Sequence, residues 1–253
     1  MDSFISWIGG KKLLRKEICA SFPQDEFDRY IEVFGGAGWV LFYKDKHAKL
    51  EVYNDINNSL VNLFKSIKYH PNAVYEELEY LLNSRKTFNE FKSLYQNTAL
   101  TEIQRAAIYF YMIKYSYSSN VRCFAAMSRC FLDDDVFNKV KKRLKKVVIE
   151  NKDYESLIKQ YDRPSALFYC DPPYYGSEKQ YKDGGDGFNL NHHKNLRDIL
   201  KYIKGRCVIS YNNDTFIYDL YKGFNIREVE RKSKLTGRYG NKNPYKELII
   251  TNF

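Results

Sequence analysis

The apolar run Ala166-Leu167-Phe168-Tyr169-Cys170 constrains the fold of this 253-residue chain more than any other feature. A run without polar alternation fits a strand buried on both faces, as in the centre of a parallel sheet. The run leads directly into Asp171-Pro172-Pro173-Tyr174. Because open α/β sheets bind ligands at the carboxyl ends of their strands, we expect a functional site at this motif.

A second unit, near the N-terminus, has the pattern strand, loop, helix, strand. Residues 30–34 form a β-prone run that ends in the glycine cluster Gly35-Gly36-Ala37-Gly38. We expect a helix over 39–46 and a second strand over 50–53, followed closely by Asp55. This is the layout of a nucleotide-binding half of an α/β sheet.

The middle of the chain has helical periodicity instead, and no strong strand pattern returns before residue 147. Within it, residues 116–129 are irregular and polar-aromatic, which favours a hairpin. We therefore predict an α/β fold whose Rossmann-like sheet comes from residues 1–55 and 147–253. A mostly helical insert is expected at 56–146.

The remaining elements continue the α/β pattern. Strands are expected over 147–149, 206–210 and 248–251, and helices from 7–11 onward and over 192–203. Residues 175–187 are rich in glycine and aspartate, which predicts a mobile loop.

The Asp-Pro-Pro-Tyr motif has the residue types needed to methylate an exocyclic aromatic amine. Such an amine is a poor nucleophile, because its lone pair is delocalised into the ring. The Asp171 carboxylate and the fixed Pro172 carbonyl can each accept one of its N–H groups. Tyr174 can stack on the base, which must leave a duplex to reach the pocket. The alternative is a stiff Pro-Pro turn at the end of a strand.

The glycine cluster and Asp55 indicate a nucleotide-type cofactor. Glycines let a ligand approach the backbone closely, and a carboxylate at this spacing can bind both ribose hydroxyls. A dinucleotide fingerprint beginning at Gly36 and Gly38 requires a third glycine at position 41, which is Leu41. The pattern therefore argues against NAD and leaves room for S-adenosylmethionine, while a turn or helix-cap role stays open for Asp55.

Together these motifs resemble the Dam-like family of DNA adenine-N6 methyltransferases, over most of the two α/β portions. Residues 7–11 (Trp-Ile-Gly-Gly-Lys) resemble its N-terminal cofactor signature, and residues 152–154 (Lys-Asp-Tyr) the segment that holds the cofactor's adenine. The resemblance implies S-adenosylmethionine as the cofactor, no metal, and Asp171, Pro172 and Tyr174 as catalytic residues. It implies cofactor contacts at Trp7, Lys11, Phe34, Gly35, Gly36, Gly38, Asp55, Asp153, Tyr154 and Asp171, with Lys11 meeting the cofactor's carboxylate.

The same resemblance implies that the helical insert recognises the DNA target. Residues 118–122 resemble the start of the family's DNA-reading hairpin and place Asn120 and Arg122 as DNA contacts. An arginine can bind guanine O6 and N7 bidentately. The family's usual continuation, Phe-Asn-x-Pro-x-Gly after a glycine turn, is replaced here by Cys123-Phe124-Ala125-Ala126, so the common GATC target is not implied.

The charge of the chain agrees with a polyanionic partner. The formal net charge is +10 and the pI is about 9.1, although a lysine-rich bias also follows from an AT-rich genome. Residues 139–146 hold six basic residues, which fits a phosphate-contacting helix or, slightly better, a solvated helix face. The five cysteines form no CxxC pair, and no apolar run is long enough to span a membrane.

Double-stranded DNA is accordingly the expected partner, and RNA or a non-catalytic binding role are the alternatives. We expect a cytoplasmic enzyme, encoded by a bacterium or a phage, that is a monomer or a weak dimer. A restriction endonuclease partner is compatible with the sequence but not required by it.

Overall fold

The computed structural model describes residues 1–126, 135–177, 187–231 and 245–253. Most of the expected loop at 175–187 and the end of the expected hairpin at 127–129 lie outside these ranges. The described strands form one seven-stranded sheet in the order β3-β2-β1-β4-β5-β7-β6. The strands are β1 (Arg29–Glu32), β2 (Leu50–Asn54), β3 (Val147–Glu150), β4 (Ala166–Cys170), β5 (Arg206–Asn212), β6 (Asn225–Arg231) and β7 (Tyr245–Thr251).

The order and direction of the strands place a crevice at the carboxyl ends of the central strands. Strands β1 to β5 run parallel, whereas β7 is antiparallel to both β5 and β6. The order reverses between the neighbours β1 and β4, since β2 and β3 lie on one side and β5 on the other. Open α/β sheets bind ligands outside the carboxyl ends of the strands at such a switch point.

Strand alternation divides the core into two layers, one on each face of the sheet. On β4, Leu167 and Tyr169 pack into one layer, and Phe168 and Cys170 into the other. All five residues of β4 are buried, which confirms the prediction of a central strand covered on both faces.

Helices cover both sides of the sheet. They are α1 (Arg15–Ala20), α2 (Asn58–Tyr69), α3 (Pro71–Glu79), α4 (Arg85–Leu94), α5 (Glu102–Tyr115), α6 (Val136–Leu144), α7 (Tyr154–Tyr161), α8 (Leu190–Tyr202) and α9 (Thr215–Leu220).

The helices α2–α6 occupy the connection between β2 and β3, and they share a core with the sheet. Phe64 of α2 stacks on Tyr53 of β2, with 4.1 Å between ring centroids. Arg143 of α6 forms a buried ion pair with Glu51 of β2 at 2.7 Å. The helical character of 56–146 is confirmed for the described residues, whereas the division into two domains stays a prediction.

Two predicted helices differ from the structure. Residues 39–46 contain only a short 3₁₀ helix, Leu41–Tyr43. The carbonyl of Val40 lies 2.8 Å from His47 Nε2, and Arg143 donates to the carbonyls of Leu41 and Lys44, so side chains take the acceptors of a longer helix. The N-terminal helix begins at Arg15 rather than near residue 7.

Strand β6 was not predicted from the sequence, because four of its seven residues are charged and they occur as adjacent pairs, which breaks the alternation of apolar and polar residues. Among the described residues, no helix has the length and apolar character needed to cross a bilayer.

Candidate active site

A cavity of about 490 Å³ opens beside the carboxyl ends of β1 and β4. Its volume lies in the range of small-molecule and cofactor sites. It brings together most of the residues that the sequence indicated: Trp7, Lys11, Phe34, Gly35, Gly36, Asp55, Asn120, Arg122, Asp153, Tyr154, Asp171 and Pro172. Gly38 and Tyr174 lie outside this set of lining residues.

The loop after β1 has no room for side chains at its first two glycines. A Cβ on Gly35 would lie 2.3 Å from the ring of Tyr53, and Gly36 has a φ of +49°. The N–H of Gly36 donates to Oδ2 of Asp55 at 2.8 Å, which ties the loop to the end of β2. Gly38 has a φ of +68° and turns the chain toward the core, where a Cβ would meet Phe42.

Asp55 reaches the cavity with its carboxylate fixed by backbone donors. Its Oδ1 accepts the N–H of Asn57 at 2.8 Å, while Oδ2 is bound by Gly36. Burial raises the pKa of Asp55, and these backbone hydrogen bonds oppose the rise. A carboxylate offers about four lone-pair sites, so two engaged oxygens retain capacity for two hydroxyl groups.

Aromatic rings form the wall beyond this loop. Tyr154 stacks on Phe34 with 5.8 Å between centroids, and Phe188 lies edge-on to Phe34 at the same distance. Asp153 caps helix α7 by accepting the N–H of Ser156 at 2.9 Å. Burial raises the pKa of Asp153, but hydrogen bonds from Ser156 and from the backbone of Glu155 and Asp153 together outweigh it, so the net pKa is lowered.

Asp171 follows β4 and is paired with a buried cation. Lys11 Nζ lies 2.7 Å from Asp171 Oδ1 and donates to the carbonyl of Gly9, also at 2.7 Å. Ser210 of β5 donates to the same Oδ1 at 3.0 Å. Burial raises the pKa of Asp171, whereas the charge and hydrogen bond of Lys11 lower it. The sequence did not indicate this pairing, and the predicted contact of Lys11 with a cofactor carboxylate stays a prediction.

Tyr174 lies beside this ion pair rather than on the cavity wall. Its ring centroid is 4.6 Å from Lys11 Nζ, and its hydroxyl donates a short hydrogen bond to Oε2 of Glu247 on β7. Burial and the nearby carboxylates of Asp171 and Glu247 raise the pKa of Tyr174 well above its usual value. The hydroxyl therefore remains a donor at neutral pH.

Sequence reasoning missed two buried carboxylates near the site, Glu32 and Glu247. Glu32 ends β1, lines the cavity and accepts the Tyr30 hydroxyl at 2.7 Å. Burial raises the pKa of Glu32 to about 8. A charged residue inside the predicted strand over 30–34 was the available signal for Glu32, whereas Glu247 lies just before the predicted strand over 248–251.

The adjacent histidines His192 and His193 lie in different surroundings. His193 is fully buried, and its Nδ1 lies 2.7 Å from the Tyr211 hydroxyl. His192 lines the cavity. Within the described ranges, no group of three or more His, Cys, Asp and Glu side chains is arranged to hold a metal ion.

The segment that was expected to read DNA borders the same cavity. Asn120 Oδ1 accepts the N–H groups of Arg122 and Cys123, at 2.8 and 3.1 Å, and so closes a turn that presents an exposed Arg122. Ser118, Ser119 and Val121 have φ between 51° and 58°. Three left-handed residues without glycine store strain, which is typical of functional segments. An antiparallel bridge between Ser116 and Phe124 closes the described part of the predicted hairpin.

The sheet order and a cavity that combines a glycine turn, the Asp55 carboxylate and the Asp171-Pro172-Pro173 segment are those of a Rossmann-like methyltransferase. The sequence matches the family described as D12 class N6 adenine-specific DNA methyltransferase over residues 7–235, and the chain belongs to this family. Because the chain belongs to this family, adenine in DNA is favoured over adenine in RNA as the substrate. An enzyme is likewise favoured over a non-catalytic binding module.

Three named relatives are similar over nearly their whole length. A type II methyltransferase, M.CviBI, of Paramecium bursaria Chlorella virus NC1A is 24% identical over 266 residues, covering 100% of both chains. The DNA adenine methylase of Haemophilus influenzae is 25% identical, covering 97% of this chain and 92% of the relative. A type II methyltransferase, M.MjaIII, of Methanocaldococcus jannaschii is 27% identical, covering 99% and 98%.

Proposed function

We propose that this chain transfers a methyl group from S-adenosylmethionine to N6 of an adenine that is flipped out of double-stranded DNA. The position of the Asp171 carboxylate carries the proposal. It lies on the wall of the cavity that also contains the Gly35–Gly36 turn and Asp55. A cofactor site and an acceptor for an amine are thus adjacent.

The residues present fit this cofactor. Gly35 and Gly36 line the cavity without side chains, so a ligand can approach their backbone closely. Asp55 would accept hydrogen bonds from the ribose hydroxyls. Tyr154 and Phe34 would pack against the cofactor's adenine ring, and Asp153 would accept a hydrogen bond from the amine of that adenine. The cofactor supplies an activated methyl group on a positively charged sulfur.

The remaining chemistry concerns the amine. Both described contacts to Asp171 fall on Oδ1, so we assign Oδ2 to one N–H of the target amine and the Pro172 carbonyl to the other. These acceptors localise the nitrogen lone pair, which forms the new N–C bond as the methyl–sulfur bond breaks. The nitrogen then loses one proton, which the hydrogen-bonded carboxylate of Asp171 can accept. Fixed acceptors in a shielded site provide alignment and electrostatic stabilisation.

The helical segment 56–146 would recognise the DNA, with Arg122 reading a base edge and Asn120 shaping the turn. The net charge of +10 supports a phosphate-rich partner. Relatives named type II methyltransferases support a setting beside a restriction endonuclease. A monomer or weak dimer in the cytoplasm stays a prediction.

The test compares wild type with Asp171→Ala, using tritiated S-adenosylmethionine and unmethylated DNA, with RNA in a parallel reaction. Wild type should label adenine in DNA but not RNA. Asp171→Ala should lower kcat at least about 100-fold, because it removes an acceptor used in the transition state, while calorimetry shows retained cofactor binding. Normal turnover of the variant would refute the assigned mechanism, and label in RNA alone would refute the substrate.

A further inference from the structure

Glu247 is an unusual residue for its place in the sheet. It is 2% exposed and shares a face of β7 with Ile249, which belongs to one apolar layer. It pairs with Asn212 of β5 on one side and Val229 of β6 on the other. A carboxylate buried in an apolar layer is costly unless it is hydrogen-bonded. The Tyr174 hydroxyl supplies one such bond across the intervening strand β5.

The other end of Tyr174 belongs to the catalytic motif. The residue directly follows Pro172 and Pro173, and its ring lies over Lys11 Nζ, which in turn pairs with Asp171. The ring of Tyr211 lies beside it, with centroids 6.3 Å apart. The ring is therefore held by the backbone at one end and by a charged acceptor on β7 at the other.

We propose that Glu247 is a positioning residue, which fixes the Tyr174 ring against the Lys11–Asp171 pair beside the cavity, so that the base stacking expected of Tyr174 depends on Glu247. This inference rests on the proposed function. A ring fixed only by its backbone can tilt about its side-chain torsions, and small misplacements in an active site cost large factors in rate. An acceptor at the hydroxyl removes that freedom before the base arrives.

The carboxylate also has an electrostatic consequence. Its negative charge is among the causes that raise the pKa of Asp171. Removing the charge should lower that pKa, so Asp171 would stay ionised to lower pH and the acid limb of the rate profile would move down. Removing only the Tyr174 hydroxyl leaves this charge in place, which separates the two effects of Glu247.

The test uses Glu247→Leu, Glu247→Gln, Tyr174→Phe and the double variant Tyr174→Phe/Glu247→Leu. We expect Glu247→Leu and Tyr174→Phe each to lower kcat about ten- to 100-fold with little change in cofactor affinity. The double variant should be no slower than the slower single variant. Glu247→Gln keeps an acceptor and should recover most of the rate, with the acid limb shifted to lower pH.

A matched control lies on the same sheet. The Tyr218 hydroxyl donates to Glu228 of β6 at 2.8 Å, at an exposed position. Tyr218→Phe and Glu228→Leu should leave kcat within about two-fold, because surface substitutions change little. If Glu247→Leu fails to fold, Tyr174→Phe and Glu247→Gln carry the test.

The outcomes distinguish this inference from the proposed function. If Tyr174→Phe keeps the wild-type rate, or if the defects of the two single variants multiply in the double variant, Glu247 does not act through Tyr174. If Glu247→Gln is as slow as Glu247→Leu, Glu247 does not act as the hydrogen-bond acceptor that positions Tyr174. If the acid limb of Glu247→Gln is unshifted, the charge of Glu247 does not influence the pKa of Asp171. If wild type itself methylates no adenine, the proposed function fails first.

Discussion

The ammonium of Lys11 and the carboxylate of Asp171 lie 2.7 Å apart, with side chains only 4% and 19% exposed. The loop before α1 and the end of β4 are thereby joined in one ion pair. Burial alone would favour a neutral Asp171, and Lys11 opposes this by lowering its pKa. The net pKa of Asp171 is still raised by burial, and Lys11 limits that rise.

Replacing Lys11 with Met should move the acid limb of kcat/KM to higher pH. Without the cation, burial raises the pKa of Asp171 further, so the carboxylate is protonated at pH values where wild type is active. A pH series with tritiated cofactor measures the limb. Lys12→Met is the matched control, since Lys12 is exposed and pairs with Asp2 at 2.8 Å. A profile of Lys11→Met that overlays wild type would show that the ion pair does not set the pKa.

Glu32→Gln should stabilise the protein at alkaline pH. The pKa of Glu32 is about 8 in the fold against 4.5 for a free side chain, because of burial. The folded state keeps a proton that the unfolded state releases, so this group's contribution to stability falls as pH rises through that window. Thermal unfolding at about pH 5 and about pH 8.5 measures it.

The Glu32→Gln substitution itself keeps an acceptor for the Tyr30 hydroxyl, so the fold should tolerate it. We expect Tm to rise by several degrees at the alkaline end and to change little at the acid end. Glu79→Gln on the exposed face of α3 should follow wild type at both. A Tm difference between Glu32→Gln and wild type that is equal at both pH values would contradict the assigned titration.

Gly36→Ala should weaken cofactor binding more than it weakens the fold. The residue has a φ of +49°, and an added Cβ would lie 3.0 Å from the Trp7 ring at the cavity wall. Calorimetry should show at least about a ten-fold weaker affinity, equivalent to about 1.4 kcal/mol. Gly223→Ala is the control, with a φ of +103° and open space. It carries backbone strain without the obstruction, so equal affinity losses in both variants would exclude a role of the Gly36 turn in binding.

Arg143→Met should strongly destabilise the protein. It leaves Glu51 buried without its bidentate partner, and such losses cost about 3–5 kcal/mol. Denaturant unfolding measures the change. Lys139→Met on the same helix removes an exposed pair with Asp135 and should cost less than about 1 kcal/mol. Equal effects of the two substitutions would mean that the buried pair does not anchor α6 to the sheet.

The sequence predicted the parts of the site that follow strands directly. Asp171, the Gly35–Gly36 turn and Asp55 each come just after an apolar run, and parallel strands end at the same edge of a sheet. The central strand β4 was equally clear, because a run buried on both faces has no polar alternation. Local pattern was sufficient for these features.

Contacts between distant segments were not predictable in the same way. The expected helix at 39–46 is shortened because Arg143 and His47 take the carbonyls of Leu41, Lys44 and Val40. Glu247 was missed because the last strand was expected to begin at Leu248, just after it, whereas β7 begins three residues earlier, at Tyr245. The hydroxyl of Tyr174, to which Glu247 is hydrogen-bonded, lies in the loop that follows β4. No local sequence pattern indicates a contact between these two distant residues.

The central claim is tested most directly by sequencing modified bases in DNA from cells that lack adenine methylation and express this chain. Wild type should place N6-methyladenine at one recurring sequence, and Asp171→Ala, expressed at the same level, should place none. Genomic DNA from wild-type cells without N6-methyladenine, or the same modified sites with both proteins, would contradict the account.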